Sequence, residues 1–458
     1  MAVGLSLSTL ILVISLVGPL VGPHVQPLLG ITVDATLLTL FFFVFATIYN
    51  AILLSTIAFH DRRTASEGEA EDHHFSLMVP CRNEEAVVEQ TLQAIMRVDY
   101  PSSQFEVLVV NDGSMDRTEV IVRSLTRAYA NLRVLNVPFQ DSGKGKGEAL
   151  NKGFRYLLES SPFRNSSNWI IGVFDSDGIV DPKILKKASY SLKDSRVGAV
   201  QTLVRISNSR DSVLTMMQDI EFVTFAKVTQ SARSLFKGAV ALGGNGQFIR
   251  ASALEAIVLP TGEYWRREAL TEDLDLGTRV LMKGWGNSFL SSTAVYQKGV
   301  TSMRSLYKQR TRWSWGALQC FYYYAANLRV LRSKMGRVRK LDLAYYLSAV
   351  TLPPLILLVW VLSIFGLLGL FRLYNPFPAY FMLANSISFF PLIGYGLWTV
   401  RREYKVILIV PLLFLTSAYT YHWVVCTLRA MIHMIMRDKP RWVVTKKTSI
   451  SQSKPESV

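Results

Sequence analysis

The chain has 458 residues, half of them hydrophobic, with 50 Lys or Arg against 34 Asp or Glu and a formal net charge of +16. A positive mean hydropathy beside such a basic excess is unusual for a soluble protein and fits a membrane protein whose charged parts face an anionic cytoplasmic leaflet. The three cysteines, Cys81, Cys320 and Cys426, are far apart and form no CxxC pair, which argues against a disulfide framework or a zinc site.

Residues 1–60 contain no Lys or Arg and a single acid, Asp34. Two apolar stretches there, 5–22 and 36–58, reach or approach the roughly 20 residues of a bilayer-spanning helix. A cleaved signal peptide would want a basic n-region, so the first stretch is expected to be an uncleaved anchor. The second runs into "FHDRR", whose arginines belong on the cytoplasmic side.

From 61 to 300 short apolar runs ("FSLMVP", "FEVLVV", "LRVLNV", "WIIGVF", "VGAVQT") alternate with amphipathic stretches such as "EEAVVEQTLQAIMRV". Strands separated by helical patterns predict a cytoplasmic α/β domain on a mostly parallel sheet. The first run leads into "VPCRNEE" (79–85), the second into "VVNDGSMDRT" (109–118). Ligands of open parallel sheets bind beyond the carboxyl ends of the strands, where both motifs fall. Asp112 is placed there to accept hydrogen bonds from a nucleoside, although "NDGS" also suits a plain turn and helix cap.

In "DSGKGKGEALNKGF" (141–154) glycines permit close backbone approach, and Lys144 and Lys146 can meet phosphate charge. The P-loop spacing is absent, which disfavours a Walker-type ATPase, and a solvated loop is the alternative. "VFDSDGIVDP" (173–182) then sets Asp175 and Asp177 one residue apart after an apolar run. In a strand such residues point the same way, and two like charges need a cation between them. A divalent ion held by both carboxylates and gripping a diphosphate would supply it.

"VALGGNGQFIRASAL" (240–254) clusters three glycines around Asn245, and "REALTEDLDLGTRVLMKGW" (267–285) places Thr271, Glu272 and Asp273 at a helix start. Thr271 reads as an N-cap, so a well-capped helix is one explanation of the acids behind it. From Lys298 to Lys340 there are eleven Lys or Arg and no acid, interleaved with aromatics. Beside an apolar segment this predicts amphipathic interface helices over 301–342. Nucleic-acid binding, the competing reading of basic and aromatic residues, is disfavoured by the flanking apolar segments. Residues 343–371, 378–399 and 405–430 are three further candidate spans, and 431–458 is a polar basic tail. Five spans would put that tail opposite the central domain, against the positive-inside tendency.

Taken in order, "VPCRNEE", "NDGS", "DSD", "GGNGQ", "TED" and "QRTRW" resemble the family 2 membrane glycosyltransferases of GT-A fold. This group includes cellulose, hyaluronan, chitin-oligosaccharide and poly-N-acetylglucosamine synthases, and glucosyltransferases acting on membrane lipids. The match runs over roughly residues 75–315. The resemblance implies a GT-A domain inserted between transmembrane helices in the cell membrane, multi-pass, with the catalytic domain cytoplasmic. It assigns Asp112 to the uridine of the donor, Asp175 and Asp177 to Mg2+ or Mn2+ and the donor diphosphate, and Asp273 to the catalytic base. Gln309, Arg312 and Trp313 fit QxxRW, with Gln309 and Arg312 in the donor site, Arg312 near the diphosphate, and Trp313 near the acceptor sugar. Pro80, Arg82, Glu84 and Lys146 complete the expected donor site, and Gly244, Asn245 and Glu272 the acceptor site. "RWVVT" (441–445) loosely resembles a tail motif of some of these synthases.

The expected reaction is a metal-dependent, inverting hexosyl transfer from a nucleotide sugar, a UDP-sugar by resemblance. No nucleophilic Ser or Cys motif is present, so no covalent glycosyl-enzyme is called for. Two acceptors fit the motifs. The first expectation is a growing β-linked polysaccharide, made processively and exported through the spans, with Trp313 and Trp315 either gripping the glycan or anchoring the interface helix, the commoner role by composition. The alternative is a glycolipid synthase adding one or a few sugars, such as glucose, to diacylglycerol or ceramide.

Overall fold

The apolar runs become the centre of an eight-stranded sheet. The computed structural model describes residues 49–56, 69–354, 357, 390–401, 403 and 409–438. His74–Cys81 (β1), Phe105–Asn111 (β2), Leu132–Asn136 (β3) and Trp169–Val173 (β4) are parallel, in the order β3-β2-β1-β4. Alternate residues enter different cores. Phe75, Leu77 and Val79 join Phe105, Val107 and Val109 on one face, while Met78 joins Leu108 and Val110 on the other. Helices Val88–Met96, Thr118–Ala128 and Ile184–Ser191 cover the first face; Lys146–Ser160, Ala251–Ala256 and Glu272–Met282 cover the second. A sheet covered on both sides wants apolar residues at every position, which is why these runs are continuous rather than alternating.

The remaining strands, Ile179–Val180 (β5), Val197–Ile206 (β6), Gln247–Arg250 (β7) and Gly286–Gln297 (β8), extend the sheet as β4-β7-β6-β8-β5. β7 is antiparallel to both β4 and β6, β8 runs parallel to β6, and β5 is antiparallel to β8. The sheet is therefore mostly parallel, with its antiparallel pairs confined to the second half. The stretch taken for a phosphate loop is largely helix, since Lys146 already opens Lys146–Ser160.

Met303–Cys320 is an inner helix. Leu306, Arg310, Ser314, Gly316 and Leu318 are buried along it, and it packs against both the start of Glu272–Met282 and the helix His422–Ile435. Apart from Met303 at the helix start, the exposed large apolar residues of the basic region lie further on, at Tyr323, Leu328, Leu331, Val338 and Leu341. Of the expected spans, 5–22 lies outside the described residues and the other four lie partly outside them. Among the described residues no helix is long and apolar enough to cross a membrane. The "RWVVT" match also falls outside them.

Candidate active site

The carboxyl ends of β1 and β2 lie side by side, with Cys81 paired to Asn111 and the Asp112 amide donating to the Cys81 carbonyl at 2.9 Å. The turn expected of "NDGS" forms, as Ser114 N donates to Asn111 Oδ1 at 3.3 Å and Gly113 has φ +66°. Asp112 itself faces the site. Its Oδ2 accepts from Gly143 N at 3.0 Å and lies 3.7 Å from Arg82 Nη1. Gly143 is at φ +74°, and a Cβ there would collide with the Arg82 guanidinium. The glycine thus lets one loop close over the Arg82–Asp112 pair.

Asp175 and Asp177 sit past the end of β4, in a turn closed by Gly178 N to Asp175 O at 3.1 Å. Strand alternation therefore does not orient them. Asp175 is half-buried and Asp177 buried. The charge beside Asp175 is an ammonium: Lys146 Nζ donates to Asp175 Oδ1 at 2.6 Å and to Gly244 O at 3.1 Å, and lies 3.5 Å from Glu272 Oε1. Burial pulls Lys146 downward from its ordinary pKa, but Asp175 and Glu272 outweigh it and the net shift is upward, so the side chain stays charged. Lys144, by contrast, is exposed and pairs with Asp141. Among the described residues no group of three or more His, Cys, Asp or Glu is placed to hold a metal by itself.

Thr271 stands at the N-cap of Glu272–Met282 but makes no capping bond; Asp273 Oδ1 instead accepts from Leu274 N at 2.7 Å. Asp275 is consumed structurally, accepting from Arg266, Arg279 and Tyr324. Asp273 has a different environment. Burial, and then the charge of Glu272, push its carboxyl up to about 7 against the opposing pull of Lys146. Gly244, at φ +78°, comes so close that a Cβ would lie 2.7 Å from Asp273 Oδ2. Arg312 closes this side, donating through Nη1 to Leu270 O at 3.2 Å.

These groups face one cavity of ≈ 1050 Å3. Its charged end contains Pro80, Arg82, Glu84, Asp112, Lys146, Asp175, Asp177, Glu272, Asp273, Gln309, Arg312 and Trp313. Two expected residues stand behind the wall. Gly244 contributes its carbonyl to Lys146, and buried Asn245 accepts from Asp175 N at 3.1 Å while donating to Gln297 Oε1 at 3.0 Å. Asn245 thus orients Asp175 and makes no direct contact with the cavity. Trp315 is turned away and stacks on His433, ring centroids 5.2 Å apart, so it does not line the cavity. The cavity also reaches an apolar end, at Leu53, Phe225, Leu352, Phe390, Leu392 and Ile393. Sequence reasoning missed Gln201, whose amide bonds Gly243 N and Asn245 O, and missed the buried ion pair of Arg310 with Glu221. Arg310 lies inside "QRTRW", and its position one residue from Gln309 was the available signal.

Residues 73–316 match the family described as "Glycosyltransferase like family 2". A beta-monoglucosyldiacylglycerol synthase from Trichormus variabilis is 30% identical over 385 residues, spanning 81% of this chain and 76% of that protein. The protein of the same name from Synechocystis is 30% identical over 379 residues, 81% of this chain and 74% of that one. A mannosyltransferase from Pyrobaculum calidifontis, solved with GDP-Man and Mn2+, shares the fold with a TM-score of 0.52 at 18% identity, covering 87% of this chain and 99% of that one. The α/β domain is thus of the GT-A kind that the motifs implied.

Proposed function

The chain belongs to glycosyltransferase family 2 and is a transferase, and on that premise we propose that it moves a sugar from a UDP-sugar to a diacylglycerol-type membrane lipid with inversion. The carrying observation is the single cavity that joins a charged end at Asp175 and Asp273 to an apolar end at Leu53, Leu392 and Ile393. A nucleotide sugar needs the first end, and a lipid with a hydroxyl head and acyl chains needs both. Relatives named for diacylglycerol glucosylation support the lipid over the polymer that the motifs first suggested.

In this reading Asp112 and Arg82 receive the nucleoside, and Lys146 and Arg312 offset the diphosphate charge. Asp273 takes the proton of the acceptor hydroxyl, the acceptor oxygen bonds to the anomeric carbon, and the bond to the diphosphate oxygen breaks with its electron pair leaving on the nucleotide. Attack from the face opposite the leaving group converts an α-linked donor to a β-glycoside. Two carboxylates on one turn suit Mg2+ or Mn2+, which commonly takes one or two protein carboxylates and completes its shell with phosphate oxygens and water. Asp175 and Asp177 would hold it, and the ion would supply further charge stabilisation of the diphosphate. Membrane integration through the apolar segments 5–22, 36–58, 343–371, 378–399 and 405–430, with the catalytic domain cytoplasmic, belongs to the same proposal; its support is the composition of those segments.

The test is product chemistry. Full-length protein in diacylglycerol-containing vesicles, with Mg2+ or Mn2+ and labelled UDP-sugars, is expected to place label in a small organic-soluble lipid, and chelation by EDTA is expected to abolish transfer. Label appearing in a high-molecular-weight glycan without added lipid would replace this reading by the polymer synthase.

A further inference from the structure

Arg310 is fully buried beneath the cavity wall, on the helix that carries Gln309, Arg312 and Trp313. Its Nη2 donates to Glu221 Oε2 at 2.7 Å and its Nη1 to Gln309 Oε1 at 2.9 Å, while the guanidinium carbon lies 4.1 Å from the centre of the Trp313 ring. Glu221, on Val213–Thr224, is itself fixed from the far side. Trp423 Nε1 donates to its Oε1 at 2.7 Å, and Tyr419 OH to its Oε2 at 3.2 Å. Phe222 meets Trp313 edge-on at 6.0 Å. One ion pair thus joins four helices, Met303–Cys320, Val213–Thr224, Ile409–Thr420 and His422–Ile435, around the two side chains, Gln309 and Trp313, that present themselves to the cavity.

We propose that Arg310 and Glu221 form a positioning pair that sets the Trp313 ring for the acceptor. A buried Arg–Glu pair is a costly device for stability alone, because apolar side chains of like volume hold helices together at least as well. The planar guanidinium does something they cannot: it covers a ring face and grips a neighbouring amide in one fixed geometry. The pair touches neither Asp175 nor Asp273, and on the donor side it meets only the Gln309 amide oxygen, while its guanidinium covers the Trp313 ring, so its larger effect should fall on the acceptor. This inference rests on the reading of Trp313 as an acceptor contact.

The experiment compares Arg310→Lys and Glu221→Gln with the native protein in vesicles, measuring both KM values, kcat and the melting midpoint. Arg310→Lys keeps a cation for Glu221 but loses the plane over Trp313 and the bond to Gln309. It is expected to raise the acceptor KM about tenfold while the UDP-sugar KM moves less than about twofold, since small misplacements of a contact act selectively on the partner it orients. Glu221→Gln, nearly isosteric, is expected to raise the acceptor KM about threefold. A merely structural pair predicts instead that Arg310→Lys restores native kinetics, or that both KM values and the midpoint shift together; either result overturns the proposal. If Arg310→Lys fails to fold, judged by lost UDP binding, Glu221→Gln decides alone, and an unchanged acceptor KM refutes the pair. Should the native protein glycosylate something other than diacylglycerol, the functional reading falls, and the same KM comparison on that acceptor still decides this one.

Discussion

Asp273 shows how one carboxyl comes to stand in surroundings its neighbours do not share. Glu272 is next to it in sequence, but it pairs with Lys146, and Asp275 is held by two arginines and a tyrosine. Asp273 is left half-buried beside a like charge and is pushed up to about 7, near the pH at which a general base is most effective. Asp273→Asn is expected to retain UDP binding within about twofold and to lose transfer by more than a hundredfold, as for loss of a group acting only in the transition state; a variant keeping a tenth of native turnover would remove Asp273 from the role. The native enzyme should lose turnover as pH falls through about 7, because only the ionised carboxyl accepts the proton. Stability should move the other way. A carboxyl whose folded pKa lies above its ordinary 3.8 costs the fold progressively as pH rises from about 4 to about 7. Asp273→Asn should therefore melt higher than the native protein at pH 8 and level with it below pH 4, and the pair of melting curves checks it.

At the scale of elements, the site depends on how closely Met303–Cys320 approaches the start of Glu272–Met282. Gly316 is the contact point: a methyl there would lie 2.8 Å from the Thr271 amide nitrogen and nearer still to the Thr271 side chain. Gly316→Ala is expected to push the helices apart, costing about 1–3 kcal/mol as overpacked cores do, and to lower turnover at least tenfold by moving Arg312 away from Asp273, a loss of orientation. Denaturant unfolding and steady-state rates measure the two effects. Elements of this kind differ in how far the sequence exposes them. β1 to β4 were legible because a doubly covered parallel sheet writes itself as unbroken apolar runs. β8 was not, since "GNSFLSSTAVYQ" mixes small and polar residues along its twelve positions. β7 hid behind a glycine cluster, Gly243 to Gly246, whose backbone is irregular. The motif acids were found because each lies at a strand or helix end, where ligands bind. Arg310 was not, because in a stretch of eleven basic residues without an acid a buried cation looks like any solvated one. Its partner Glu221 stands 89 positions away, and such pairings are set by tertiary packing that no local pattern encodes.

Across the whole molecule, the segments flanking the catalytic domain are tied to it by buried charge rather than by apolar packing alone. Asp342 is the central knot. Tyr49 OH donates to its Oδ1 at 2.6 Å, Arg233 Nε to the same oxygen at 3.2 Å, and Ala239 N to its Oδ2 at 2.5 Å. Three stretches of chain, at Tyr49, at 233–239 and at Asp342 itself, meet in that one carboxylate, and Arg233 and Asp342 are both buried. A second tie runs from Arg205 to Asp219 within the domain and to Glu403 outside it. Removing one partner of a buried pair leaves the other desolvated without compensation, so Asp342→Ala is expected to destabilise the protein by about 3–5 kcal/mol. Tyr346, with its ring 4.1 Å from the Arg233 guanidinium, softens that loss without replacing the carboxylate. Because Tyr49 and Arg233, the partners of Asp342, line the same cavity as the charged end, the variant should lose turnover together with stability. The control is Asp194→Ala, which breaks an exposed pair with Arg196 and should leave the unfolding midpoint where it was. Denaturant unfolding of both variants in detergent settles the matter: an Asp342→Ala midpoint no lower than that of Asp194→Ala would mean that apolar contacts alone hold the flanking segments to the domain.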